Sequence, residues 1–548
     1  MSGSIIKKTA ACLLVLSMFF AVGCSVSRHD ASLEVTEQNG EYTIVKCKGG
    51  KTSITVPAFI NGKPVVAVAD GAFENIRGLK EVLFEGQSLR TVGKRAFAKN
   101  SWLQKVTFPE SLQTLGDGAF YSGFALREVT FAGKVEKIGQ DAFRNCEVLK
   151  AVHAPQGIGT VGRCAFSRCI ALQEIDLEKI DVIEELAFAS CGQLTGEVTI
   201  GATELGDSAF VACDGLTSVS LPNLTKAGKA VFSDCAGLTS AVLNPDFSVL
   251  AESMFEGCKA FTQLESGLLD TVQPYALHQC LGITELNLAQ DAQVYDSGVK
   301  NSGVAAKANV FESDDVVTVD GQVYNRVFKD EFDGELNLNN WERCPEWDRG
   351  DVFWMDEESY TENGQLMVDI SYGDSPDGTR KDVFRSGAVR TNGRFQQTYG
   401  YYEIRCKLSD IPGAISAFWL MPYQFSYDGT AHGGAEVDIY ECPYLDTEEI
   451  VQTIHWGGYE QDHQSVTKTT RIDGMYVGYH TYALKWTDTE YVFYVDGQET
   501  YRVTDPDAIC HVDTYVKVNA GAGGWAGELD PELLPLHAAE VDYVKVYH

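Results

Sequence analysis

The chain has 548 residues and carries 44 Lys and Arg against 77 Asp and Glu, a formal net charge of −33. That excess of acid excludes nucleic acid as a partner, because phosphate binding needs a cationic surface; a composition 44% hydrophobic and 11% aromatic excludes wholesale disorder. Fifty-two Gly and 15 Pro suit a turn-rich β protein, and the length allows about three domains at roughly 100–200 residues each, or fewer if one is a repeat array.

Residues 1–24 read as an export signal. Lys7 and Lys8 precede an apolar run from Ala10 to Val22 that is too short for a comfortable membrane span. Ala21-Val22-Gly23-Cys24 resembles a bacterial lipobox, in which the Cys is lipidated and becomes the new N-terminus; Ala21 stands where Leu is commoner. The resemblance implies an extracellular protein on the bacterial cell surface, lipid-anchored to the membrane through Cys24, with ordinary secretion as the alternative. Residues 25–54 form an N-terminal cap region.

From about residue 55 to 290 the sequence repeats. Phe73, Phe97, Phe120, Phe143, Phe166, Phe188, Phe210, Phe232 and Phe255 recur every 22–24 residues, and Cys146, Cys169, Cys191, Cys213, Cys235, Cys258 and Cys280 keep the same period. Strand-like runs follow in many copies, such as LKEVLF from Leu79, LREVTF from Leu126 and LTSVSL from Leu216. A fixed period of this size predicts a solenoid in which no single unit can bury its own apolar face. One Cys per coil is not metal-site spacing, so these are expected to be buried thiols acting as small hydrophobes. The pattern L-x-x-V-x-F with A-F-x-x-C resembles leucine-rich repeats of bacterial surface proteins, which implies adhesion or spacing from the cell. Exposed strand positions such as Lys80, Glu81, Lys105 and Arg127 mix both charge signs, so a host or cell-surface ligand of the solenoid stays unspecified and a plain stalk remains the alternative.

Residues 291–325 lose the register and read as a linker plus a lead-in strand. From 326 to 548 short alternating strands are separated by Gly, Asp and Asn turns; YVFYVDGQETYRV from Tyr491 reads as a hairpin turning at Asp496-Gly497. This predicts an antiparallel β-sandwich of jelly-roll type, and a mainly β chain overall. Its chemically loaded segment is AHGGAEVDIYECPY, residues 431–444, where Glu436, Asp438 and Glu441 interrupt an apolar strand. Alternation puts Glu436 and Asp438 on one face and Glu441 on the other; a β-bulge of one extra residue returns Glu441 to their face, and bulges are frequent beside active sites. Paired carboxylates of this kind suit glycosidic hydrolysis, one as nucleophile and one as acid/base.

E-V-D-I-Y-E resembles the bulged E-x-D-x-x-E signature of glycoside hydrolase family 16, and the likeness extends through DEFDG at Asp330, SGAVRTNGRF at Ser386, YGYYEIRCKL at Tyr399, AFWLMP at Ala417, IHW at Ile454 and VDYVKVYH at Val541. The resemblance implies Glu436 as nucleophile, Asp438 as its helper and Glu441 as general acid/base, in an endo-acting retaining β-glycosidase whose chemistry requires no cofactor. It implies cleft roles for Trp419 and Trp525. His455 is either a cleft residue facing Glu441 or a core histidine, and Arg390 either touches substrate or pairs with a surface acid. Glu331 and Asp542 match positions that help hold a structural Ca²⁺ in relatives. Ile415-Ser416 departs from the Trp-Pro usual in laminarinases. The polysaccharide substrate implied first is a β-1,3-containing glucan of laminarin or mixed-linkage type. The alternatives are a β-galactan or mucin-type host glycan, and a non-catalytic carbohydrate-binding adhesin.

Overall fold

The computed structural model describes residues 27–28, 32–304, 315–344, 347–348, 352–375, 378–444 and 448–548. The export signal and Cys24 lie outside the described residues.

The repeats wind as parallel coils. An antiparallel hairpin, Leu33–Gln38 with Glu41–Cys47, caps the N-terminal end, and its second strand starts a long parallel sheet that runs to Lys226–Ala227. On the other flank the short strands stack in register, Val106 beside Val129 and Val129 beside Val152. The coil period arises from a turn centred on the repeated Phe. Residues two before and two after it take the left-handed conformation, as at Arg95 and Lys99 around Phe97, or Leu186 and Ser190 around Phe188. Non-glycine residues pay strain there, which backbone ladders between coils offset, such as Phe97 N–H donating to Ala119 O at 2.7 Å and Lys99 N–H to Tyr121 O at 2.8 Å.

Successive Phe rings stack with centroids 4.8–5.7 Å apart. The cysteines are buried free thiols, as expected, and they also bond: each Sγ donates to the Phe carbonyl of the preceding coil, for example Cys213 to Phe188 O at 3.2 Å and Cys258 to Phe232 O at 3.0 Å. Asn100, at the same register, donates to Phe73 O at 2.7 Å.

The second half is a sandwich of two sheets, antiparallel except where Val352–Trp354 pairs parallel with Val383–Ser386. The outer sheet runs Trp347–Asp348, Val352–Trp354, Val383–Ser386, Gln365–Gly373, Leu536–Tyr547, Gly400–Leu408, His480–Trp486, Tyr491–Val495, Gln498–Val503; the cleft sheet runs Glu342–Arg343, Ala388–Arg390, Thr514–Ala522, Ala414–Pro422, Glu436–Tyr444, Glu449–Trp456, Gln464–Arg471. Between them lies an apolar core that includes Ile404, Leu484, Trp486, Phe418, Val437 and Val518. The hairpin expected at Asp496-Gly497 is present, with φ of 48° and 73° at its two turn residues.

Among its described residues, the segment expected as a linker plus a lead-in strand is largely structured, and the lead-in strand is present. Leu288–Val294 adds a last parallel strand to the solenoid, the helical turn Asp296–Val299 closes it with Gly298 and Val299 buried, and Val316–Val319 already pairs with Gln322–Asp330 of the second half. Nor are the halves separate bodies. The solenoid lies against the sandwich along the residue that follows each Phe: Arg144, Ser167, Ala189, Val211, Ser233 and Glu256 are all buried. Arg405, on the central strand Gly400–Leu408, donates to Glu256 of the solenoid (2.8 Å) and to Asp542 (3.0 Å), and His278 Nδ1 lies 2.9 Å from Glu256. Farther along, Arg144 bonds Glu448 and Asp473 (3.0 Å to the latter), Lys407 pairs with Asp234 at 3.1 Å, and Val477 packs on Leu186 and Val211.

Candidate active site

The bulge is present. Along the strand Glu436–Tyr444, Asp438 sits opposite Trp419 and Tyr440 opposite Phe418, so Ile439 is the extra residue; on the other side Asp438 faces Thr453 and Glu441 faces Val451, again one residue out of step. Val437, Ile439, Tyr440 and Cys442 all enter the core between the sheets. Both Ile439 and Tyr440 therefore point inward, and Glu436, Asp438 and Glu441 share the opposite face. The core side is anchored by Tyr440, whose hydroxyl lies 3.0 Å from Ser416 Oγ.

Glu436 and Asp438 are buried in the cleft floor. One carboxylate oxygen of each and a ring nitrogen of His455 lie within 4.8 Å of one another. Burial, and then the charge of Glu436, push the Asp438 carboxyl well above the usual carboxylate range. Two carboxylates this close each disfavour the charged form of the other. Tyr459 donates its phenolic hydrogen to Glu436 Oε2, a bond that favours the charged form of Glu436. Opposite Glu441 stands Ala417, and Asn519 lies beyond it on the next strand.

His455 faces the other end of the acid row from the one expected. It pairs across the strands with Glu436, and its Nε2 lies 3.3 Å from Asp438 Oδ2; its Nδ1 shares a hydrogen with His463 Nε2 at 2.9 Å. Trp419 lies in the cleft row beside Asp438, but only 8% of it is exposed. Its indole N–H donates to Asn519 Oδ1 at 2.6 Å, and the Lys517 ammonium sits 4.3 Å from its ring centroid and 3.8 Å from that of Trp354. The Trp419 face is thus occupied by a cation. Arg390 resolves toward pairing, its Nε donating to Glu342 Oε2 at 2.9 Å. Trp525 falls on the turn Gly524–Ala526, and its side chain lies outside the described residues.

The acids matched to a calcium site do not fit one. Glu331 has the ammonium groups of Lys329, Lys300 and Lys545 at 2.7, 3.6 and 3.7 Å, and Asp542 is bonded to Arg405. Calcium needs six or more oxygens, and here cations already neutralise the carboxylates.

Sequence reasoning missed Lys517, Asn519, Tyr459 and His463. The first two alternate with core residues Val516 and Val518, so strand periodicity could have placed them on the cleft face. Tyr459 follows Gly457-Gly458, both at positive φ, in a turn whose path strand periodicity does not specify.

Residues 348–544 match the model of Glycosyl hydrolases family 16, and stretches from 66 to 301 match the BspA type leucine rich repeat region. Among curated proteins the chain is similar to the endo-1,3-1,4-beta-glycanase ExsH of Rhizobium meliloti (26% identity, 42% of this chain, 53% of that one). It is also similar to the keratan-sulfate endo-1,4-beta-galactosidase of Sphingobacterium multivorum (28%, 45% and 60%) and to a beta-glucanase of Rhodothermus marinus (31%, 30% and 62%). The chain spans less than two thirds of the length of each. The repeats with their Phe and Cys ladder fall within the first match and the bulged acid strand within the second: the chain joins a BspA-type leucine-rich-repeat region to a glycoside hydrolase family 16 domain.

Proposed function

We propose that this protein is a secreted, surface-anchored, endo-acting retaining β-glycosidase that cleaves a β-1,3-containing glucan. The observation that carries the reading is the bulge at Ile439, which gathers Glu436, Asp438 and Glu441 on one cleft face. Glu436 attacks the anomeric carbon while Glu441 gives its proton to the departing glycosidic oxygen; Glu441 then takes a proton from water, which cleaves the glycosyl-enzyme and releases Glu436. Asp438, beside Glu436, orients the nucleophile. The name of the Rhodothermus relative, a beta-glucanase, supports a glucan substrate.

A β-galactan or mucin-type glycan is the second reading. It is favoured by the Sphingobacterium relative and by the cation over Trp419, which takes up a ring face that a glucose unit would otherwise stack on.

The full chain, assayed on a panel of polysaccharides with product sizing, separates the two. Glu436→Gln is expected to abolish turnover. Glu441→Gln is expected to be severe but partly rescued by azide on a substrate with a good leaving group, since protonation is then bypassed. NMR during hydrolysis should show the substrate's anomeric configuration in the first product. The opposite anomer would refute the covalent route. Surface anchoring is checked separately: labelled fatty acid should enter the wild type and not Cys24→Ala.

A further inference from the structure

The turn 457–463 joins the strands Glu449–Trp456 and Gln464–Arg471 at the Glu436 end of the acid row. It reaches that row through two side chains. Tyr459 donates to Glu436 Oε2, and His463 bonds His455 Nδ1, whose Nε2 faces Asp438. The Tyr459 ring is 62% exposed and braced edge-on by Phe425, with centroids 5.1 Å apart. A residue so exposed contributes little to the core, yet its one polar atom is spent on the least exposed end of the cleft.

We propose that Tyr459 is a further catalytic residue: its phenol holds Glu436 ionised and turned toward the substrate. This rests on the reading of Glu436 as nucleophile. A carboxylate oxygen of Glu436 forms the bond to the anomeric carbon as the glycosidic C–O bond breaks and Glu441 protonates the leaving oxygen. As the ester forms, negative charge leaves the carboxylate and the phenol bond weakens; in the second half-reaction charge returns to Glu436 as leaving group, and the same O–H stabilises it. Tyr459 therefore favours departure of Glu436 and charged Glu436 alike. The groups facing Glu436 are Asp438 on its own strand, His455 with His463 behind it on the neighbouring side, and Tyr459 on the turn. Toward the other neighbouring strand, Trp419 and then Lys517 lie on the row of Asp438, and Met421 and then Tyr515 lie two positions along, past the pairing of Leu420 with Val437.

The test is Tyr459→Phe in the full chain, with Tyr372→Phe on the outer sheet as control. The first readout needs no substrate: the pH dependence of carbodiimide modification of the Glu436 peptide, mapped by mass spectrometry. A carboxylate that loses a charge-assisted hydrogen bond protonates at higher pH, so the half-point should rise by about one pH unit in Tyr459→Phe and stay fixed in Tyr372→Phe. The second is the acidic limb of kcat/KM on laminarin, or on whichever polysaccharide the panel identifies, which should move upward in step, with kcat at the optimum falling roughly tenfold. Melting at neutral pH should fall only slightly, by no more than the lost hydrogen bond to Glu436 accounts for, as the ring is exposed. An unmoved half-point overturns the proposal, and so does a moved half-point with an unmoved acidic limb. Full activity in Glu436→Gln would instead overturn the reading beneath it.

Discussion

The repeated cysteine shows how one side chain can serve both packing and polarity. A coil must turn at each Phe, and the turn leaves the Phe carbonyl pointing into the stack, where no water can reach it. A thiol from the next coil is small enough to fit and can donate to it. Cys213→Ala keeps the size near but removes the donor, and should lower stability by about 1–2 kcal/mol in denaturant unfolding. Burial pushes the Cys146 thiol up to about 12 and the others upward too, so a thiol reagent at neutral pH should label these cysteines only after unfolding. Glu256 illustrates the opposite balance. Burial alone would raise its carboxyl, but Arg405 and His278 hold it at about 2, against an ordinary 4.5. A depressed folded value gives stability that is complete above the unfolded value and lost as pH falls below it. Wild type should therefore destabilise from about pH 4.5 toward pH 2, and Glu256→Gln should flatten that part of the acid-unfolding curve while lowering stability at pH 7.

At the scale of the element, the acid strand works because of one surplus residue. Deleting Ile439 alone restores strict alternation and leaves all three acids on the cleft face, whereas deleting Ile439 together with Tyr440 puts Glu441 directly after Asp438, which turns it toward the core side of the sheet and breaks register with both neighbouring strands. In the double deletion activity should vanish and the melting temperature should drop, since a carboxylate would meet the core, while the single deletion should keep measurable activity. Much of this element was legible in advance: three acids spaced two and three apart among apolar residues need a bulge to share a face, and the structure supplies it. The coil period and the Phe register were equally legible, because a stacked repeat writes the same constraint many times over. The face that meets the sandwich was not. Arg144 and Glu256 look like any solvated turn residues, since nothing local marks a charge that will find its partner some 150 to 300 positions away. A weak signal was present: after Phe188, Phe210 and Phe232 the next residue is Ala, Val and Ser, small or apolar where a solvent-facing turn would tolerate anything. Cleft residues on turns, such as Tyr459, were hidden for a different reason, because a turn's direction depends on packing and has no period to read.

At the scale of the whole molecule, the buried Arg405 joins the two halves into one folding unit. It is held by Glu256 from the solenoid, by Asp542 from its own sheet, and by the rings of Tyr275 and Tyr479, with centroids 4.0 and 4.8 Å from the guanidinium carbon. Arg405→Ala would strand two buried carboxylates, and should cost about 3–5 kcal/mol. The same argument applies to the fragment 320–548, which would expose Arg405, Lys407 and Asp542 without their solenoid partners. Calorimetry should give a single transition for the full chain and a clearly lower melting temperature for the fragment; two independent transitions, with the fragment matching one of them, would show the contact to be incidental. The spacing of these anchors has a further consequence for how such a protein can evolve. Repeat arrays ordinarily gain and lose copies with little penalty, because every unit meets only its neighbours. Here Arg144 and Glu256, five coils apart, both grip the same rigid sandwich, and one coil more or fewer between them would displace a grip by about 4.8 Å. The copy number in that stretch is locked like the teeth of a gear, whereas the coils before Phe120 are at liberty to multiply.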